Sequence, residues 1–293
     1  MRSHRRTALI AAAVAVTLAA CADAPPRGPG EDGDPPIGHP TGADEVVLRL
    51  AYEGGFVPLE WTFASVPAFT LYGDGTIVVP GAQAAIYPGP ALPAAFSLHV
   101  DEDGVQALLG RALDAGLGRD DLVLGDTGDV AIADASTAMF TLTVDGRTTT
   151  ASAYALGLEE DEAFPGLSED QARTRRALAT LAADLGDLRW LPGGSVTSED
   201  PWDGEAARLL VRPYRGDPEL PQPPVAWPLD VRLADAGEPV GWDPEARCVV
   251  VDGDAWRRLL AEARDATQLT PWRDGGRRWS IAFRPLLPDE TGC

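Results

Sequence analysis

The stretch MFTLTVDGRTTTASAYAL, residues 139–156, decides the fold class. Phe140, Leu142 and Val144 alternate with Thr141 and Thr143, so an extended chain here has one apolar face and one polar face. Asp145-Gly146 then supplies the residue pair favoured in a two-residue type I′ turn, where both central positions need positive φ. The stretch is therefore an antiparallel hairpin, and its apolar face requires a helix or a second sheet to cover it.

Suitable helices flank it. Val105, Leu108, Leu109, Ala112 and Leu113 recur at helical spacing, with Asp101 or Asp103 as the cap and Gly116 near the end. A second helix starts at Ser168, where Gln171 completes a capping box; Leu178, Leu181, Ala182 and Leu185 form its buried stripe and Gly186 stops it. Toward the N-terminus, VVLRLAY (46–52) alternates, and FTLYGDGTIVV (69–79) places Gly73-Asp74-Gly75 between two β-rich runs. FSLHVDED (96–103) is a strand leading into the first helix.

LPGGSVTSEDPWDG (191–204) breaks the composition and is expected to be a linker. Beyond it, ARLLVRPY (207–214), LDVRLA (229–234) and CVVV (248–251) are expected strands. A helix with Trp256, Leu259, Leu260 and Ala263 on one face follows, and RWSIAFRP (278–285) is a last strand after the turn Asp274-Gly275-Gly276. The expectation is an α+β protein of two small domains, 45–190 and 205–293, each of antiparallel hairpins packed with amphipathic helices. VDEDGVQALLGRALDA (100–115) and VDGDAWRRLLAEARDA (251–266) match at several positions with one offset. A diverged internal repeat explains this, and so do two acid-capped helices drawn from an Ala/Leu/Asp-rich composition.

The first residues give an address. Arg2, Arg5 and Arg6 precede an uncharged run, Ala8 to Ala20, in the layout of a secretory signal over residues 1–20. The run is shorter than the roughly 20 residues a membrane-spanning helix needs. Leu18-Ala19-Ala20-Cys21 resembles the lipobox of bacterial lipoproteins, which implies cleavage before Cys21 and a diacylglycerol, with its palmitate-class chains, on that thiol. An ordinary signal peptide with a chance cysteine is the alternative. Residues 22–44 combine proline, glycine and acid with almost nothing apolar, the composition of a disordered tether. The expected location is the extracytoplasmic face of the cell membrane, held by lipid.

The formal net charge is −21, and removing residues 1–20 takes away three arginines and no acid, which leaves 21 basic and 45 acidic side chains and a charge near −24. Nucleic acid is a disfavoured partner for such a chain. Solubility explains the charge, as does steering of a basic protein or a divalent cation. There is no lysine, so Schiff-base chemistry, a Walker-type phosphate loop and Ser-Lys dyads are excluded. In an oxidising compartment Cys248 and Cys293 make an even remainder for one disulfide; two free thiols are the alternative.

Candidate chemistry is sparse. The folded body holds one histidine, His99, so a His-rich zinc site is excluded and a Ser-His-Asp triad could be built only there. Acids cluster at Asp101-Glu102-Asp103, at Asp120, Asp121, Asp126, Asp129 and Asp134, and at Glu159 to Glu162. Their spacing departs from an EF-hand loop, and helix capping and solvation explain them. A glycosidase-type carboxylate pair is a distance criterion that spacing does not test. Of the eight tryptophans, Trp256 and Trp279 fall on expected core faces. Trp202, Trp227, Trp242 and Trp272 lie in loops beside proline or glycine and form a candidate binding surface.

FVPLEWTFASVPAFTLYGDGTIVVPG (56–81) and QLTPWRDGGRRWSIAFRPLLPDE (268–290) resemble sequences in a group of actinobacterial lipoproteins that carries no activity to transfer. Tyr52-Glu53-Gly54-Gly55-Phe56 after the first strand, the helix 101–117, the hairpin FTLTVDGRTTTASAYAL and the helix around RRALATLAADL are similar in order to emfourin, a bacterial proteinaceous inhibitor of thermolysin-type metalloproteases. Residues 57–98 are longer and richer in proline than that family needs, so no inhibitory residue is carried over. The resemblance implies a protein partner. The expected function is a non-catalytic, cofactor-free protein-binding module, with protease inhibition as its sharpest form. A rigid loop built on Pro58, Pro67, Pro80, Pro88, Pro90 and Pro93 would serve that form. A structural or chaperone-like envelope lipoprotein is the alternative, and a two-carboxylate hydrolase the remote one.

Overall fold

In the computed structural model, which describes residues 35–83, 85–124, 132, 134–157 and 167–293, the hairpin at 139–156 forms as expected. It is built from β6 (Ser136–Val144) and β7 (Arg147–Tyr154), with φ of 49° at Asp145 and 71° at Gly146. Around it lie β1 (Val46–Gly54), β2 (Phe69–Tyr72), β3 (Thr76–Pro80), β4 (Ala95–Val100), β5 (Leu122–Leu124) and β8 (Val196–Pro201). These make an eight-stranded sheet in the order β5-β7-β6-β1-β2-β3-β4-β8, antiparallel except for the β5–β7 pair.

Register sorts the two faces of this sheet. Leu48 faces Leu71 and Leu142, and Leu50 faces Phe69 and Phe140, all on the face covered by helices. The cover is α2 (Glu102–Asp114) and α3 (Glu169–Leu185). Asp101 caps the first by accepting from Gly104 N–H, and Ser168 with Gln171 forms the capping box of the second. Val105, Leu108, Leu109 and Ala112 meet Leu178, Leu181 and Leu185 over the sheet in one core.

A second, six-stranded sheet follows. It comprises β9 (Ala206–Pro213), β10 (Val225–Ala226), β11 (Glu238–Val240), β12 (Asp243–Asp252), β13 (Trp272–Asp274) and β14 (Arg277–Pro285), in the order β10-β13-β14-β9-β12-β11. Leu209, Val211, Val249, Val251, Trp279, Ile281 and Phe283 face α4 (Gly253–Ala263), whose Trp256, Leu259 and Ala263 complete a second core. The architecture is α+β with two mostly antiparallel sheets, and both lie within one compact unit, Pro36–Cys293. Both matching segments of the internal correspondence run from a strand into a helix, but Asp252 makes no capping bond where Asp101 does.

Four expectations change. Residues 191–204 carry β8, which adds to the first sheet along β4, so the composition break is not a free linker. LDVRLA is not a strand: Val231 is exposed while Leu233 is buried in a turn, and Leu233 N–H donates to the Asp274 side-chain carboxylate rather than to a strand backbone. The tether ends earlier than residue 44. Ile37 packs on the first core while its N–H and carbonyl bond both ends of the Gln106 amide; Gly38 N–H donates to the Asp145 carboxylate, and Gly38 O accepts from Asp145 N–H. One apolar residue with its polar backbone satisfied is enough to dock the segment. The fourth change is α1 (Leu59–Ala64), a helix between Pro58 and Pro67 where a rigid loop is expected.

The outer face of the second sheet is lined by arginine. Arg208, Arg212 and Arg284 project from β9 and β14 away from α4, and Arg208 stands directly across from Arg284. Arg284 is 2 % exposed; it forms a two-pronged ion pair with Glu290 and donates to Ser65 O at 2.9 Å. Arg212 pairs with Glu60 of α1, and its Nε lies 2.9 Å from Asp243. Arg208 donates to Phe63 O and lies 4.9 Å over the Phe63 ring. Helix α1 and the tail 286–293 thus cover this face with carboxylates and with backbone carbonyls. The tail also reaches the first sheet. Asp289 accepts from Arg49 and from the Tyr72 hydroxyl, both at 2.7 Å, Leu287 packs on Tyr72 and Val78, and Cys293 closes a disulfide with Cys248 of β12.

Two outcomes follow from this wrapping. Glu290→Ala leaves a buried guanidinium unpaired and should cost about 3–5 kcal/mol, whereas the Cys248→Ser/Cys293→Ser pair should cost about 4 kcal/mol through loop entropy; urea melts measure both. For pH, burial alone would raise the Asp289 carboxyl, but the bonds from Arg49 and Tyr72 hold it below the usual carboxylate value. Because the folded value is the lower one, the contribution of Asp289 is complete above about pH 4 and is lost as the pH falls through the folded value. Asp289→Asn should therefore lose less stability on acidification than the parent chain.

Candidate interaction surface at the loop end of the first sheet

Antiparallel register sends the connections of the first sheet to two opposite ends. β1 finishes at Gly54 opposite the start of β6 at Ser136, β2 starts at Phe69 opposite Leu50, and Pro80 faces Ala95. The connections 55–68 and 81–94 therefore leave from the same end, as does the passage from β8 toward the second sheet at Trp202. The tight turns at 73–75 and 145–146, together with the docked segment 37–42, occupy the other end.

Both long connections are held at their shoulders. In 81–94, Gly81 N–H donates to Ala94 O at 2.8 Å, Ala91 N–H to Ala266 O at 3.0 Å, and Gly89 O accepts from Gln268 N–H at 2.9 Å. Ala91 and Leu92 pack against the second core. In 55–68, α1 is pinned by Arg208, Arg212 and Arg284. Between these fixed points the tips face solvent: Ile86 is 64 % and Tyr87 66 % exposed, Phe56 85 % and Trp61 62 %. With Tyr52 and Val57 they make six of the eleven exposed large apolar side chains among the described residues. Isolated exposed apolar residues are ordinary; a concentration at one end of a sheet marks an interaction surface.

Beneath this end lies Arg175 of α3, fully buried. It donates to Leu124 O at 2.9 Å, Tyr154 O at 2.6 Å and Ala155 O at 3.2 Å, so one guanidinium satisfies carbonyls where β5 and β7 terminate. Its position three residues before Leu178 placed it on the apolar stripe of α3, which was the available signal.

The tryptophans do not form the expected surface. Trp272 is completely buried, edge-on to Trp227 at 6.0 Å and to Phe283 at 5.5 Å, and the Trp227 indole donates to Val231 O. Trp202 is half-buried against Tyr72, Val78 and Leu287. Only Trp242 of the four is exposed, lying 5.3 Å from the Arg212 guanidinium. The reason is cross-strand pairing: Trp272 faces Trp279, so both share the α4 side. Cys21 lies outside the described residues, as do Asp126, Asp129 and Glu159 to Glu162. His99 is exposed on β4. Glu102 contacts His39 and Gln106, Asp120 pairs with Arg147, and Asp121 accepts from Thr150. Among the described residues no group of three His, Cys, Asp or Glu side chains is placed to hold a metal ion. Comparison with family models, with curated proteins and with solved structures returns no match to the chain.

A surface of this kind predicts a separation of stability from exposure. Phe56→Ser and Tyr87→Ser should each change folding stability by no more than about 0.5 kcal/mol, while Leu108→Ala, fully buried beneath the same sheet, should cost about 2–5 kcal/mol. Denaturant melts of the three variants provide the comparison.

Proposed function

We propose that this protein is an extracytoplasmic lipoprotein, cleaved before Cys21 and anchored through lipid on that thiol, and that its body is a non-catalytic protein-binding module. The partner surface is the loop end of the first sheet. The observation that carries this reading is the pair of connections, fixed at their shoulders by backbone hydrogen bonds and arginine contacts, that expose Phe56, Trp61, Ile86 and Tyr87 between them. Apolar side chains on a preorganised loop bind without the ordering cost that a mobile loop incurs. The segment 37–42 docks at the end of the first sheet opposite the loop end.

Protease inhibition is the sharpest form of the proposal. The strand, helix, hairpin and helix on which the likeness to emfourin-type inhibitors rests fall at β1, α2, β6–β7 and α3, and the projecting tip Ile86-Tyr87 supplies a side-chain pair for a cleft. The rival reading is a structural or chaperone-like envelope module that uses the same apolar end without entering a cleft.

Affinity capture with the lipid-free ectodomain, residues 22–293, separates these. The proposal expects a discrete protein partner that the Phe56→Ser/Tyr87→Ser variant no longer retains, and for the inhibitory form a stoichiometric slowing of a thermolysin-type protease. Retention of the same partners by that variant would remove the loop end from the function, and no slowing across a panel of secreted metalloproteases would leave only the structural form. Mass spectrometry of native material should find a diacylglyceryl group on Cys21; a bare thiol there removes the anchor.

A further inference from the structure

The arginine face of the second sheet extends beyond its cover. Alternation along β13 and β14 puts Arg273 and Arg278 on the same outer face as Arg208, Arg212 and Arg284, and pairs them directly across the two strands. Glu60 of α1, Asp243 of β12 and Glu290 of the tail neutralise Arg212 and Arg284. Arg273 and Arg278 are exposed, and neither forms an ion pair among the described residues.

Two further arginines collect at the same hairpin. Arg277 begins β14, and Arg232 lies against the turn so closely that a side chain on Gly275 would meet its Nη2 at 2.9 Å. These too have no carboxylate partner within 4.0 Å among the described residues. The acid within the hairpin, Asp274, lies across the strands from Arg277, but its carboxylate accepts from Leu233 N–H and forms no ion pair among the described residues. An open groove of about 620 Å³ runs beside the turn, lined by Pro213, Tyr214, Gly276, Arg277, Arg278 and Trp279.

Like charges directly opposed on neighbouring strands are destabilising. Four guanidiniums around one turn that form no ion pair among the described residues are also unexpected in a chain of formal charge −21, where carboxylates are abundant. The chain's net charge does not forbid an anion here. Screening confines the repulsion of distant carboxylates to a Debye length of about 8–10 Å, while the arginines act at contact distance and present planar donors that match oxyanions two at a time. Pro213, Tyr214 and Trp279 give the groove apolar wall beside Arg277 and Arg278, while Arg273 and Arg232 stand outside its lining, so the four charges exceed what one small anion in the groove would meet.

We propose that the β13–β14 hairpin and its groove bind an oligomeric anion whose repeating units carry phosphate or carboxylate groups. The site is independent of the loop end and of the lipid anchor. Arg278 and Arg277 contact the ligand from the groove, Arg273 and Arg232 hold the adjoining anionic units, and bound ligand relieves the repulsion between Arg273 and Arg278.

Isothermal titration of the ectodomain with inorganic polyphosphate and with oligogalacturonate tests this. At least one should bind, about tenfold more weakly when salt is raised from about 50 mM to about 200 mM, and Arg273→Glu/Arg278→Glu should abolish the binding while Arg257→Glu on α4 retains it. Binding of polyphosphate alone assigns phosphate as the recognised group, and binding of oligogalacturonate alone assigns carboxylate. A variant-free reading comes from NMR of the parent chain: the Gly275 and Gly276 amides and the Trp279 indole should shift on titration before any resonance of α2 or α3. If neither oligomer binds, or the double variant binds as the parent does, or the shifts map elsewhere, the assignment is overturned.

Discussion

The arrangement of this protein depends on a layer of arginines that its own sheet turns away from its own core. Alternation along β9 and β14 gives α4 a clean apolar face, and the same alternation commits Arg208, Arg212 and Arg284 to the other side. Guanidiniums taken out of water need counter-charges and acceptors, or they unfold what buries them. The chain meets that need from two distant places: α1 brings Glu60 and the carbonyls of Phe63 and Ser65, and the tail brings Glu290. Because α1 hangs from β1 and the tail also binds Arg49 and Tyr72, neutralising one sheet ties it to the other.

The same tie sets the behaviour of the exposed end. A six-residue helix has little stability of its own. Helix α1 persists because three arginines hold it, and the apolar residues around it are thereby presented in one conformation. The connection 81–94 gains its fixity in a different way, by backbone bonds to the turn that follows α4. In both cases the second sheet serves as a buttress for loops that originate in the first, so the two halves of the chain contribute jointly to one surface although only one of them displays it.

Much of the fold was legible in local pattern. Asp145-Gly146, the capping box at Ser168 and the stripes of α2, α3 and α4 are short-range signals, and each produced the element it specified. What escaped was decided at long range. VTSED has no alternation that reveals an edge strand; β8 exists because β4 offers it an edge. LDVRLA alternates well, yet Asp274 captures its backbone in a turn. Trp272 sits beside proline as a loop residue would, and its pairing with Trp279 buries it. Arg175 occupies an apolar stripe, but a single sequence does not reveal which carbonyls it will meet. The candidate surface was the least legible part. Proline content marked the rigid loops, but the exposure of Ile86 and Tyr87 depends on what the rest of the connection finds to lean on.

The opposed ends of the first sheet have a mechanical meaning. The chain enters at the turn end, through Ile37 and Gly38, and the apolar tips stand at the other, with β1 and its neighbours running between them. Tension drawn between the entering chain and anything gripped at the tips would act parallel to the strands, and would load the inter-strand bonds of β1 with β2 and β6 together in shear rather than unzip them singly. A body strung in that direction resists pulling far better than the same sheet held by one edge.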